Sequence, residues 1–189
     1  MIHSENTAIN RGVATSVKML VEALPPCIVL DYGAGRLRHA YFLSDKGFDV
    51  TVLDIPKQAK RMAYAETPFS WQTNDHPVPP NAFDTVLLTF VLNVLDDKSI
   101  REAIIEECAL AVGSYGDIYI EVRTPQSVEQ AKHKTPYKDG YLIGKHKPTF
   151  QKGFTEEELM ALVAPWFVVE KIITKHDSII LVGKRDVYV

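Results

Sequence analysis

Residues 29–42 read VLDYGAGRLRHAYF. An apolar run ends in an acid, Asp31, glycines follow at Gly33 and Gly35, and a stretch with helical character comes after. That order spells a strand, a turn without Cβ atoms where backbone can approach a ligand closely, and a helix whose first N–H groups lack partners within the helix. In a doubly wound sheet such a turn lies beyond the carboxyl ends of the strands, at the point where strand order reverses and ligands bind. Two positions depart from familiar glycine fingerprints: Arg38 stands where a dinucleotide loop has its third glycine, and Leu37 stands where many methyl-donor loops have theirs.

Working outward, residues 7–24 carry Val13, Val17, Leu20, Val21 and Leu24 at helical spacing, and Pro25-Pro26 ends the helix. CIVLDY (27–32) is apolar on both faces, as a strand inside a parallel sheet must be. A helix over 36–47 ends at Gly47, a natural left-handed cap, and FDVTVLDI (48–55) is the second strand. Pro56 suits the first turn of a helix over 56–66. FSWQT (69–73) and FDTVLLTF (83–90) are the third and fourth strands. Ser99 and Glu102 have capping-box spacing for a helix reaching Val112, and GDIYIEV (116–122) is the fifth strand. A second capping box, Thr155 to Glu158, opens a helix, and WFVVEKIITKHDSIILVGK then reads as a hairpin turning at Lys175-His176-Asp177. The expectation is one α/β domain over 1–189, a doubly wound Rossmann-like sheet of seven strands, mostly parallel, with an antiparallel C-terminal hairpin strand.

Asp54, nineteen residues after Gly35 and at the end of the second strand, is placed to accept hydrogen bonds from two ribose hydroxyls. Both a dinucleotide and S-adenosyl-L-methionine need that acid. Asp31 separates them, because an acid two residues before the first glycine sets negative charge against a pyrophosphate but favours a ligand carrying a sulfonium and an amino group. The glycine replaced by Arg38 also counts against a nicotinamide-dependent oxidoreductase.

With these residues in place, VLDYGAG, VTVLDI, NDHPVPPNAFDTVLLTFVLNVL and GDIYIEV resemble, in order, the motifs of class I S-adenosylmethionine-dependent methyltransferases over residues 28–122. The resemblance implies that Asp31, Gly33 and Gly35 line the methionine end of the cofactor and that Asp54, with Ile55 beside it, lines the ribose. It implies Asn74 and Asp75 at the adenine, and Phe90 and Val91 on the cofactor's outer side. More narrowly, NTAINRG, FVLNVLDD and TFQKGFTEEEL (149–159) resemble elements of methyltransferases associated with DNA phosphorothioation. A non-catalytic cofactor-binding protein attached to a nucleic-acid-modification system is the alternative that this likeness leaves open.

The acceptor is less constrained. TFVLN follows the fourth strand in place of the Asp/Asn-Pro-Pro-Tyr/Phe of DNA amino-methylating enzymes, and no Pro-Cys pair serves cytosine C5 chemistry. Residues 123–154 hold seven Lys or Arg against two acids, with His133, His146, Tyr137 and Tyr141 interleaved. This insertion is too long for a connector and reads as a basic lid over a polar or anionic acceptor, or as a solvated charged loop. No catalytic base is assigned: His133, His146 and the tyrosines read as surface residues before they read as a base, since a general base is recognised by geometry that sequence does not give.

Asn93, Asp96 and Asp97 read as helix caps rather than metal ligands, and no metal is expected. The net charge of −3 argues against a protein that coats nucleic acid. Cys27 and Cys108 read as buried free thiols, no stretch suits a signal peptide or a membrane span, and a cytoplasmic protein is expected.

Overall fold

A computed structural model of the chain describes residues 12–185. Helix α1 (Thr15–Ala23) leads into β1 (Ile28–Tyr32), followed by α2 (Arg38–Ser44), β2 (Asp49–Asp54), α3 (Pro56–Arg61), β3 (Ser70–Thr73) and β4 (Phe83–Thr89). The chain continues through α4 (Lys98–Ala111), β5 (Val112–Arg123), α5 (Pro125–Glu129) and three short strands, β6 (Lys134–Tyr137), β7 (Gly140–Ile143) and β8 (Thr149–Gln151). It closes with α6 (Glu156–Val163), β9 (Phe167–Thr174) and β10 (Ser178–Arg185).

The main sheet runs β3-β2-β1-β4-β5-β10-β9. Strands β1 to β5 pair in parallel, and β10 is antiparallel to both β5 and β9, so the expected sheet and its hairpin stand as read. Strand order turns between β1 and β4, which fixes the ligand crevice beyond Tyr32 and Thr89. Alternation divides the core between the two faces. Val29, Val52 and Leu87 meet Leu20 of α1 and Leu43 of α2 on one side, while Leu30, Val86, Leu88 and Ile120 meet Ile105 of α4 and Leu159 of α6 on the other.

Several boundaries differ from the reading of the sequence. The helix expected over 56–66 stops at Arg61, and Ala63 turns left-handed at φ 50° before a short 3-10 turn at Tyr64–Glu66. That break buries Tyr64 beneath the glycine turn. The cap of α4 is Asp97 rather than Ser99: its carboxylate accepts from both the Ser99 backbone N–H and the Ser99 hydroxyl, at 2.9 and 2.7 Å. An anionic acceptor at a helix N-terminus outcompetes a hydroxyl, which leaves Glu102 to pair along the helix with Lys98 at 3.4 Å. The capping box at Thr155 and Glu158 forms as expected, and Gly47 closes α2 at φ 88°. Cys108 is buried and Cys27 only half-buried, both as free thiols. The start of the N-terminal helix, with Thr7 and Arg11, lies outside the described residues.

The insertion is built rather than loose. Strands β6, β7 and β8 form a separate antiparallel sheet, and α5 packs before it, capped by the Thr124 side chain. Side-chain and backbone links fasten this sheet to the main body. Asn93 donates to the Gln151 side chain at 2.9 Å while its carbonyl accepts from the Lys152 N–H at 2.8 Å. Asp139, at the β6–β7 turn, pairs with the buried guanidinium of Arg101 on α4 and lies 3.7 Å from Lys152.

Candidate functional site

Asp31 closes the buried half of β1, with 1% of its surface exposed. Its Oδ2 is buried with no hydrogen-bond partner among the described residues, an arrangement that costs free energy unless a ligand or a proton satisfies the atom. Burial, then the nearby charge of Asp54, pushes the Asp31 carboxyl up to about 7, with Arg38 pulling the other way.

The turn after Asp31 is held from below. The Gly33 and Ala34 N–H groups both donate to the Leu53 carbonyl, at 2.8 and 3.0 Å. Gly33 sits at φ 76°, and a Cβ there would stand 2.4 Å from the Val91 side chain, so only glycine lets Val91 close over the turn. Gly35 is left-handed at φ 56°, and its carbonyl accepts from the Gln58 amide at 2.8 Å and the Tyr64 hydroxyl at 2.9 Å.

Leu37 carries what a glycine carries elsewhere. It is left-handed at φ 63°, caps α2, and is 3% exposed within the apolar cluster of Val17, Leu20, Ala40 and Leu43. A leucine in this region is strained. Burial of its side chain offsets that strain and keeps the isobutyl group within the core.

Asp54 ends β2 with its two oxygens divided. Oδ2 accepts from the Gly35 N–H at 2.7 Å and Oδ1 from its own neighbour, the Ile55 N–H, at 2.8 Å. The Tyr64 hydroxyl also faces this carboxylate, and the lone pairs that remain give it the capacity to accept from ribose hydroxyls. Burial raises the Asp54 pKa, and the two backbone donors and then the Tyr64 hydroxyl pull it down. Asn74 and Asp75 follow β3 as exposed residues at the rim, tied to the site by the Asn74 N–H, which donates to the Asp54 carbonyl at 3.2 Å.

Phe90 and Val91 enter from β4. Phe90 leaves the strand left-handed at φ 57°, its N–H donating to the Glu121 carbonyl at 2.7 Å, and the Arg123 guanidinium lies 5.7 Å from the ring centre. Glu121 is almost fully buried, accepting from the Ser16 N–H at 2.8 Å and the Ser178 hydroxyl at 3.0 Å.

The nine sequence-derived residues therefore form two groups. Asp31, Gly33, Gly35, Asp54, Ile55, Phe90 and Val91 lie at the carboxyl ends of β1, β2 and β4, beside the switch point, and Asn74 and Asp75 follow β3 at the neighbouring edge. Gln58, Tyr64 and Glu121 were missed. An acid inside the apolar run IYIEV was a visible signal for Glu121, whereas nothing in the pattern marked Gln58. The capping triad divides as well: Asp97 caps α4, Asp96 pairs with Lys138 at 2.8 Å, and Asn93 is buried against Gln151. Among the described residues, no three His, Cys, Asp or Glu side chains cluster as metal ligands would.

A family model described as tellurite resistance protein TehB matches residues 4–129, two thirds of the chain. The chain belongs to the TehB family. No curated protein matches the sequence. Among solved structures, TehB from Haemophilus influenzae superposes with a TM-score of 0.67 at 16% identity, covering 94% of this chain and 64% of that one. An S-adenosylmethionine-dependent methyltransferase from Methanosarcina mazei gives 0.76 at 16% identity, covering 93% and 99%. The 1,6-didemethyltoxoflavin-N1-methyltransferase of Burkholderia thailandensis, solved with 1,6-didemethyltoxoflavin and S-adenosylhomocysteine bound, gives 0.63 at 19% identity, covering 90% and 78%. This TehB-family chain thus has the methyltransferase form of the Rossmann-like fold.

Proposed function

We propose that this TehB-family protein transfers a methyl group from S-adenosyl-L-methionine to a small polar or anionic acceptor. Structures of the same fold that are S-adenosylmethionine-dependent or hold S-adenosylhomocysteine support the cofactor. The observation that carries the reading for this chain is Asp31, a buried carboxyl with one unsatisfied oxygen beside a glycine turn. Such an atom fits the ammonium end of a methionine moiety and repels a pyrophosphate.

When bound, the cofactor supplies an electrophilic methyl on a sulfonium, so the protein's own task is alignment and exclusion of water. Gly33 and Gly35 offer backbone at close range, Asp54 offers its carboxylate to the ribose, and Asn74 and Asp75 edge the adenine side. Phe90 and Val91 wall the outer side, with Arg123 against the Phe90 ring. The narrower likeness to phosphorothioation-associated methyltransferases rests on three sequence motifs alone and would make the acceptor part of a nucleic-acid-modification system.

Calorimetry tests the site. S-adenosylmethionine and S-adenosylhomocysteine are expected to bind the wild type, NAD is not, and Asp31→Asn and Asp54→Asn are expected to weaken adenosyl binding at least tenfold. Tight NAD binding, or unchanged affinity in both variants, would refute it.

A further inference from the structure

Beyond Phe90, between the end of β5, α5 and the insertion sheet, lies a cleft of about 230 Å³. Arg123, Ser127, Thr149 and Gln151 line it together with Val128, Ala131 and Ile143. Arg123 is its one cationic residue, and no carboxylate lines it. Among the described residues the Arg123 guanidinium has the Phe90 ring as its neighbour and no acid paired with it.

The donors can be counted. The Ser127 hydroxyl is spent on the Thr124 carbonyl at 3.0 Å. Gln151 accepts from Asn93 through its oxygen, which leaves its NH2 group as a donor for a ligand. One guanidinium fork, one amide and the Thr149 hydroxyl suit a planar monoanion, since the fork matches two carboxylate oxygens at once and the other two donors are neutral. A phosphate dianion wants more positive charge than one residue supplies. Val128, Ala131 and Ile143 call for an apolar body behind the charge, and the volume, below the usual range for drug-sized ligands, keeps that body small. Lys132, next to Ala131, and Lys145 and Lys147, between Ile143 and Thr149 in the chain, are exposed and add a field that draws anions inward.

We propose that this cleft is the acceptor subsite and that the acceptor is a small organic monocarboxylate, its charge held by Arg123 and its apolar part by the α5 side of the insertion. The proposal rests on the methyl-transfer reading, because the cleft gains its meaning from lying next to the cofactor wall at Phe90. Arg123 here positions the acceptor, and the insertion is a built part of the site.

The test is binding to protein loaded with S-adenosylhomocysteine, followed by the NMR signal of the Arg123 Nε–H group, with benzoate, its neutral isostere benzamide, and inorganic phosphate as probes. Benzoate is expected to bind in the millimolar range and shift that signal, with benzamide and phosphate at least tenfold weaker. Arg123→Gln is expected to weaken benzoate at least tenfold, and Ala131→Phe, which fills the cleft from its apolar side, to do the same with S-adenosylhomocysteine affinity kept within threefold. Benzamide binding as well as benzoate, phosphate binding more tightly, or benzoate indifferent to both substitutions would overturn the proposal. Failure of S-adenosylhomocysteine to bind the wild type would instead sink the methyl-donor reading, and benzoate titrated into ligand-free protein then reports on the cleft alone.

Discussion

Asp31 sets two demands against each other. As an acid whose folded pKa lies near 7, above its unfolded value near 4, it binds a proton more tightly in the folded state. Its contribution is therefore fully favourable below about pH 4 and is lost as pH rises through about 7. Asp31→Asn is expected to unfold less readily than the wild type at pH 8, by about 2–4 kcal/mol in ligand-free protein, the gap closing toward pH 4. Chemical denaturation across that range checks the sign, and a gap that widened on acidification would contradict it. Cofactor affinity should run the other way, rising from pH 5.5 to 7.5 as the carboxylate ionises, with proton release seen by calorimetry in buffers of different ionisation enthalpy. Leu37 poses a similar contest. Leu37→Gly relieves about 1–2 kcal/mol of left-handed strain but empties a buried leucine site, a loss of about 2–5 kcal/mol, so a net destabilisation of about 2 kcal/mol, within a span of about 0–4, is expected from urea unfolding. The sequence showed the missing glycine at 37 but not how the loop would accommodate it, because burial against α1 and α2 is a tertiary fact.

At the scale of elements, strands β1 to β5 were legible because each is apolar on both faces or flanked by turn residues, and the hairpin because Lys175-His176-Asp177 separates two β-branched runs. The division of the 56–66 helix was not, since Ala63 has no local reason to turn left-handed and does so in the segment that seats Tyr64 under Gly35. The insertion sheet was half legible: Asp139-Gly140 is a hairpin signal between KTPY and YLI, hidden by the density of lysines around it. What holds that sheet in place invites a comparison of ion pairs. Arg101 is 3% exposed in its pair with Asp139, whereas Lys98 and Glu102 are 78% and 53% exposed in theirs. Asp139→Ala strands a buried guanidinium and should cost about 1–2 kcal/mol, discounted for the exposure of Asp139 itself. Glu102→Ala should leave the melting temperature unchanged within error. Limited proteolysis should show faster cleavage near residues 132–148 in the first variant and not in the second.

Over the whole molecule, charge is unevenly shared. The insertion carries seven basic residues against two acids, and the rest of the chain fourteen against twenty-two. A protein of net charge −3 with that distribution is expected to be retained by a cation exchanger at pH 7, and Lys145→Glu combined with Lys147→Glu to release it at lower salt. Equal elution of the two proteins would show that the insertion does not present its lysines as a patch. Ligand linkage acts on the same scale: S-adenosylhomocysteine at a hundredfold excess over its dissociation constant should add about 2.7 kcal/mol to stability and raise the melting temperature, and NAD should not. The close approach of Val91 to Gly33 has a consequence for which sequences this fold admits. A methyl group at 33 and an isopropyl group at 91 cannot share one space, so the two positions are not free to vary singly. Gly33→Ala should be rejected alone and recovered in part beside Val91→Gly, and in related chains an alanine after this strand should travel with a smaller residue at the end of β4, a pairing that an alignment would register as covariation across the switch point.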